Sequence, residues 1–230
     1  MAMIRTVLAE LRSFLAHPAP QQASGLDAEG AVTRWAILTA IQVAVLGLVI
    51  MPLILVWQKA FGLSPPNAFD GMAPLALWGG AVLLGPVLEE LFFRGWMSGT
   101  RRALTTMGVL LIGACVVVAM RGNQVAVAIA LVGTLVATAI TWWVKRRDGH
   151  VPLGFRKAFP ALFYITTLIF AGLHLFNYPA ITLAAVPMAL PQFWSGLMFG
   201  HMRVRVGMVA AILNHIVSNA VMLGAALITG

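Results

Sequence analysis

Charge is scarce in this chain. Asp, Glu, Lys and Arg make up 10% of its 230 residues, against about 25% in ordinary soluble domains. So few charges cannot coat a globule that faces water on every side. Six runs, 35–58, 71–88, 103–120, 122–144, 158–202 and 206–230, contain none of the four. Each is long enough to cross a hydrocarbon layer of about 30 Å as a helix. There is a single cysteine, Cys115, which excludes an intrachain disulfide; it lies mid-run and reads as a small core residue. No internal repeat, low-complexity tract or separate soluble domain is visible. The net charge of +8 reads as a topology signal and an attraction for anionic lipid, not as a nucleic-acid footprint. The expected fold class is therefore all-α, a polytopic membrane helix bundle.

Residues 3–15 place Met3, Ile4, Val7, Leu8, Leu11, Phe14 and Leu15 at helical spacing, opposite Arg5, Glu10 and Arg12. This predicts an amphipathic helix lying on the membrane surface. It lacks the continuous apolar core of a signal peptide. A polar linker follows over 16–30, so 1–30 stands apart from a single transmembrane domain over 31–230. Seven spans are expected, near 35–57, 72–96, 103–120, 123–143, 159–177, 180–200 and 207–228, the sixth disturbed by Pro187 and Pro191. Trp35 and Trp57 flank the first, and Trp142 and Trp143 end the fourth, as interfacial anchors. Pro86 is expected to kink the second span and leave backbone groups to be satisfied locally. Alternate loops hold 13 of the 15 Lys and Arg residues. The positive-inside rule makes that side cytoplasmic. The expectation is a multi-pass protein of a bacterial inner membrane, with its N-terminus cytoplasmic.

Acidic residues are rarer still, seven in all. Five lie in polar or loop-like segments. Only Glu89 and Glu90 sit against long apolar runs, where a carboxylate costs several kcal/mol, roughly 2.5–3.5 for Asp on insertion scales. Glu90 and Arg94 are four apart and can pair on one helix face. That accounts for Glu90 but not for Glu89, which points about 100° away.

Two histidines also lie within apolar runs, His174 and His215. Either one alone would serve as a helix-to-helix hydrogen-bonding residue. Asn219 is four residues beyond His215 and shares its face, while Asn214 points elsewhere, toward a neighbouring helix. His17, His150 and His201 are in loops or at a helix end and are set aside. A carboxylate beside a histidine can hold and deprotonate water. A histidine with an asparagine amide offers two donors to an oxyanion. One carboxylate and two imidazoles are also a ligand set for catalytic zinc, which would use Glu89, His174 and His215. No cofactor is assigned from the residues alone, and a divalent metal such as zinc stays open. The chain has no His-Glu-x-x-His helix, no Gly-x-Ser-x-Gly elbow and no Asp pair in its apolar runs, so those hydrolase types are unsupported.

Glu89-Glu90-x-x-x-Arg94, Phe170-x-x-x-His174 and His215-x-x-x-Asn219, in that order, resemble the CAAX-protease and bacteriocin-processing family of intramembrane proteases. This is the CPBP or Abi group, which includes the type II prenyl-protein endopeptidases. The resemblance covers about residues 80–222. It implies that Glu89 is the water-activating base, His174 its partner on the water, and His215 and Asn219 the oxyanion donors. Glu90 and Arg94 would then hold the motif helix in place. The implied partner is a membrane-associated peptide or protein substrate, lipidated or not, near the cytoplasmic face. One departure stands out: 103–143 looks like a two-helix insertion between the glutamate and histidine motifs.

Depth sets a further condition. Glu89 lies near the basic end of its span and His174 far along its own. They meet only if the glutamate span continues past Arg94 to near Gly99, or if the histidine span starts after Pro160. Two other functions compete with proteolysis. One is a scaffold or immunity-type protein on the same fold. The other is a proton-coupled transporter using Glu89 or Glu90, for which an internal repeat would be expected.

Overall fold

The computed structural model describes residues 2–229, and the described residues form helices and connecting turns with no strand. The helices are α1 (Ala2–Ala16), α2 (Ala31–Ala60), α3 (Pro74–Ser98), α4 (Arg101–Ala119), α5 (Gln124–Val144), α6 (Leu153–Asn177), α7 (Leu190–Arg205) and α8 (Met208–Thr229). The chain is an all-α polytopic bundle.

Among the described residues six helices are long and apolar enough to cross a membrane: α2 to α6, and α8 over Met208–Ile228. The seventh expected span, 180–200, takes a different form. Residues Leu183–Ala189 make a 3-10 helix, and α7 follows with 16 residues. At about 1.5 Å per residue, α7 alone falls short of the bilayer core. Pro187 and Pro191 remove backbone donors and divide the segment. Together the two pieces still carry the chain between the ends of the bundle. Trp57 Nε1 donates to Ala184 O at 2.8 Å at one end, and Ser24 N donates to Arg205 O at 3.0 Å at the other. The alternation of basic loops is thereby kept.

α7 is the axis of the fold. Gly196, Met198, Phe199, Gly200, His201, Met202 and Val204 are buried in it. Gly196 and Gly200 present a small surface one turn apart, and α6 packs into it. A Cβ at Gly200 would sit 2.5 Å from the Phe163 ring. Close approach through small residues is how membrane helices gain contact without a hydrophobic driving force.

The first helix departs from expectation. Met3, Ile4 and Leu8 are exposed, but Val7, Leu11 and Phe14 are buried in the bundle. Its apolar face is thus shared between the protein and the outside, and it closes the basic end of the bundle. Phe14 packs edge-on against Phe163 and tilts over His201. Tyr164 donates to Leu15 O, and Glu10 pairs with Arg34 and Arg205. Residues 3–30 accordingly pack on the same bundle as the transmembrane helices; the linker itself is tied by Gly25 N to Val206 O at 2.9 Å.

The expected two-helix segment over 103–143 is an antiparallel hairpin, α4 and α5. Thr100 and Asn123 cap its two helices, accepting from Ala103 N and Ala126 N. α5 buries none of its residues. Cys115, expected in the core, is exposed on α4. Trp142 and Trp143 sit against the guanidinium groups of Arg102 and Arg146, which places them at the basic end.

Candidate active site

The helix that carries the carboxylates is not a regular α-helix. Residues Trp78–Leu84 wind as a π-helix, and Gly85 N donates to Gly80 O, five residues back. In that register the next acceptor, Ala81 O, would be served by residue 86. That residue is Pro86, which has no N–H. The orphaned carbonyl accepts from Asn219 Nδ2 of α8 at 2.8 Å. The kink expected at Pro86 therefore takes the form of a widened turn, and the group it frees is satisfied across the bundle. α2 repeats the device: Leu46–Ile50 is π-helical, Met51 N donates to Leu46 O, and Pro52 follows.

α3 continues past Arg94 and ends at Gly99, whose φ of 67° is left-handed. Phe155 lies 2.2 Å from where a Cβ would stand, so only glycine fits there. This is the first of the two ways the depths could agree; α6 itself starts at Leu153 and runs through Pro160. Arg94 is buried at 1% exposure beneath the site and does not mark the interface. Its NH1 donates to Glu90 Oε1 at 3.1 Å, and its guanidinium lies 4.1 Å from the Phe170 ring centre. The i, i+4 pair expected from the spacing is present.

Three helices bring the acid and the imidazoles together. Glu89 Oε2 is 3.9 Å from His174 Nε2 on α6 and 3.8 Å from His215 Nε2 on α8. These separations exceed a direct hydrogen bond and suit one bridging atom held between the groups. Glu89 Oε2 is buried with no hydrogen-bond partner among the described residues, although the side chain as a whole is 35% exposed.

Each imidazole is oriented through its other nitrogen. His174 Nδ1 is 2.7 Å from Phe170 O. His215 Nδ1 is 3.0 Å from Glu90 Oε1. A carbonyl and an ionised carboxylate only accept, so both Nδ1 atoms donate. The Nε2 edges are left facing Glu89, where a neutral ring accepts and a protonated ring donates. His215 is also fixed by stacking on Phe199, ring centres 4.2 Å apart. The same donor set suits a divalent cation, because ligating histidines commonly hold their second nitrogen in this way. As they stand, no three His, Cys, Asp or Glu side chains among the described residues are gathered tightly enough to hold a metal ion. Ligand bonds of about 2.0–2.1 Å would need the groups to close slightly.

Glu89, His174, His215 and Asn219 all line one cavity of about 550 Å³. His17, His150 and His201 do not. Several participants escaped the sequence reading. Glu90 orients His215 besides pairing with Arg94. Gln192 and Ser195 of α7 line the cavity, and Gln192 Oε1 is buried without a partner. Gln42 of α2 donates to Ser218 Oγ at 3.0 Å and accepts from Asn214 Nδ2 at 2.6 Å. That network clamps α2 to α8 just behind the site, and it gives Asn214 the neighbouring-helix partner expected of it. The signal was present: Gln42 is a lone amide inside the apolar run 35–58, up to its terminal Gln58.

Compared with models of known protein families, with curated proteins and with solved structures, the chain matches none.

Proposed function

We propose that this chain is an intramembrane endopeptidase, similar to the CAAX-protease and bacteriocin-processing family, that cleaves a membrane-associated peptide with a glutamate-activated water. The observation that carries this reading is the convergence of Glu89, His174 and His215 from three helices on one cavity.

The chemistry follows from the geometry. A water held between Glu89 Oε2 and the Nε2 atoms is polarised as it approaches a peptide carbonyl. Glu89 takes its proton while the new C–O bond forms. The carbonyl oxygen becomes an oxyanion. His215, oriented by Glu90 at Nδ1, stabilises it from one side when Nε2 carries a hydrogen, and the amide hydrogen of Asn219 not given to Ala81 approaches from another. Glu89 returns the proton to the leaving nitrogen as the C–N bond breaks. No covalent intermediate is required.

A second reading keeps the hydrolysis and changes how the water is activated. Glu89, His174 and His215 would hold a zinc-like ion, which lowers the pKa of its bound water when present. The pinned Nδ1 atoms favour it as much as they favour the metal-free route.

The test is proteome-wide. Membranes containing the wild-type chain should hold new peptide N-termini that are missing with Glu89→Gln at equal protein level. Identical sets of termini would end the peptidase reading and return the scaffold and transporter readings to the front.

A further inference from the structure

The cavity has a floor and a mouth: the floor faces the basic end of the bundle from within it, and the mouth opens toward the other end. Its floor is packed. Phe170, Phe199, Arg94, Met97, Met198 and Met202 are each no more than 2% exposed. From Glu89 the chain continues nine residues to Ser98, about 13 Å of helix before the basic end is reached. Beyond that, α1 covers the bundle, with Phe14 seated on Phe163 and His201. No lining residue of the cavity comes from the basic loops.

The mouth is formed by Pro66 and Phe69 of the α2–α3 connection, Leu77 at the start of α3, Tyr178 just after α6, and Leu223 in the last part of α8. Phe69 is 45% exposed. The connection is held over the site by Asn67 N, which donates to Asn177 O at 2.8 Å. These are the segments that alternate with the basic loops along the chain.

We propose that the substrate is a polypeptide segment that reaches Glu89 from the side of the membrane opposite the basic loops, the extracytoplasmic side by the positive-inside rule. This rests on the peptidase reading and reverses the side expected from the sequence. The mouth supplies apolar rings and aliphatic groups for side chains. Gln192 Oε1, buried and unpartnered, is placed to accept a backbone N–H from an extended chain. A substrate presented there has already crossed the membrane or is anchored in its outer leaflet.

The experiment reads access and does not depend on cleavage. In a Cys115→Ala background, single cysteines are placed in the cavity (Ser195→Cys, Glu89→Cys), at its rim (Phe69→Cys) and on the exposed basic loop (Arg147→Cys). Right-side-out spheroplasts and inside-out vesicles are each treated with a membrane-impermeant quaternary-ammonium thiosulfonate, and modification is followed by mass. Ser195→Cys, Glu89→Cys and Phe69→Cys should react at least tenfold faster in spheroplasts. Arg147→Cys should show the reverse. Two cavity positions are used so that one poorly folded variant does not decide the result. Cavity cysteines that react from the same side as Arg147→Cys, or from neither side, overturn the proposal. Reaction of Arg147→Cys from outside overturns the extracytoplasmic assignment. Loss of the peptidase reading alone would leave these rates unchanged and show only in the N-terminal profiles.

Discussion

Glu90 and His215, 125 residues apart in sequence, meet at 3.0 Å through Oε1 and Nδ1, and the same oxygen accepts from Arg94 NH1 at 3.1 Å. One buried carboxylate therefore balances a guanidinium and sets the tautomer of the imidazole that faces Glu89. Removing one partner of a buried ion pair costs about 3–5 kcal/mol, because the other is left unpaired. Arg94→Ala should lower the yield of folded protein and its thermal midpoint in detergent. Glu90→Gln should do so too, and Glu90→Gln with Arg94→Met should recover part of the loss. Additive losses in the double variant would show that the two side chains do not act as a pair.

Glu89 is the opposite case. Its side chain is partly exposed in the cavity, and Oε2 makes no direct hydrogen bond, standing 3.8–3.9 Å from the two imidazoles. Glu89→Gln should leave yield and melting temperature within about 0.5 kcal/mol of wild type, as for changes away from packed features, and abolish processing. Glu89→Asp withdraws the carboxylate by more than 1 Å, a displacement that can cost about 100-fold in rate. A chelator added in parallel separates the two water-activation routes. Activity lost to chelation and restored by zinc selects the metal-bound water; activity that persists selects the glutamate acting alone.

On the peptidase reading Asn219 carries two tasks that can be separated by measurement. Its amide completes the Ala81 carbonyl left open by Pro86, and an unmet buried carbonyl costs about 1–3 kcal/mol. Asn219→Ala should therefore destabilise the fold and also lower turnover. A change in turnover with an unaltered melting curve would assign Asn219 to the oxyanion alone.

Much of this site was legible because charge is so expensive in an apolar chain. Glu89, Glu90, His174 and His215 were conspicuous against their runs, and the Glu90–Arg94 spacing announced its pair. The all-α membrane bundle followed from the same scarcity. What could not be read were features that depend on helix register and on neighbours. Spacing could not show that α3 widens into a π turn, that Asn219 donates to Ala81, or that Glu90 reaches His215. The 180–200 segment read as a span disturbed by Pro187 and Pro191; only packing reveals that it divides into a 3-10 helix and a short α7 and that the rest of the bundle surrounds it. α1 was recognised as amphipathic, yet periodicity cannot say whether an apolar face meets lipid or protein, and Val7, Leu11 and Phe14 meet protein.

Gln42 tests the clamp behind the site. Gln42→Leu deletes both amide contacts to α8 and leaves the Asn214 amide in low dielectric. Interhelical hydrogen bonds in membranes contribute about 0.6 kcal/mol on average and up to about 1.7. The expected loss is about 1–2 kcal/mol, measured by unfolding in mixed micelles, with a smaller loss for Gln42→Asn. A stability equal to wild type would mean that the network contributes nothing beyond packing.

The π turn before Pro86 is also a matter of phase. A π turn is an α-helix carrying one extra residue, and each residue advances the side-chain direction by about 100°. Everything after Leu84 owes its bearing to that surplus. Relaxing that turn to a regular α-helix with no residue removed would advance the rest of α3 by one step. Leu88 would then occupy the bearing of Glu89, and Glu89 that of Glu90; deleting one residue from 78–84 at the same time would restore both. Without that deletion the relaxed chain would keep every residue of its motif and lose the compass that aims them.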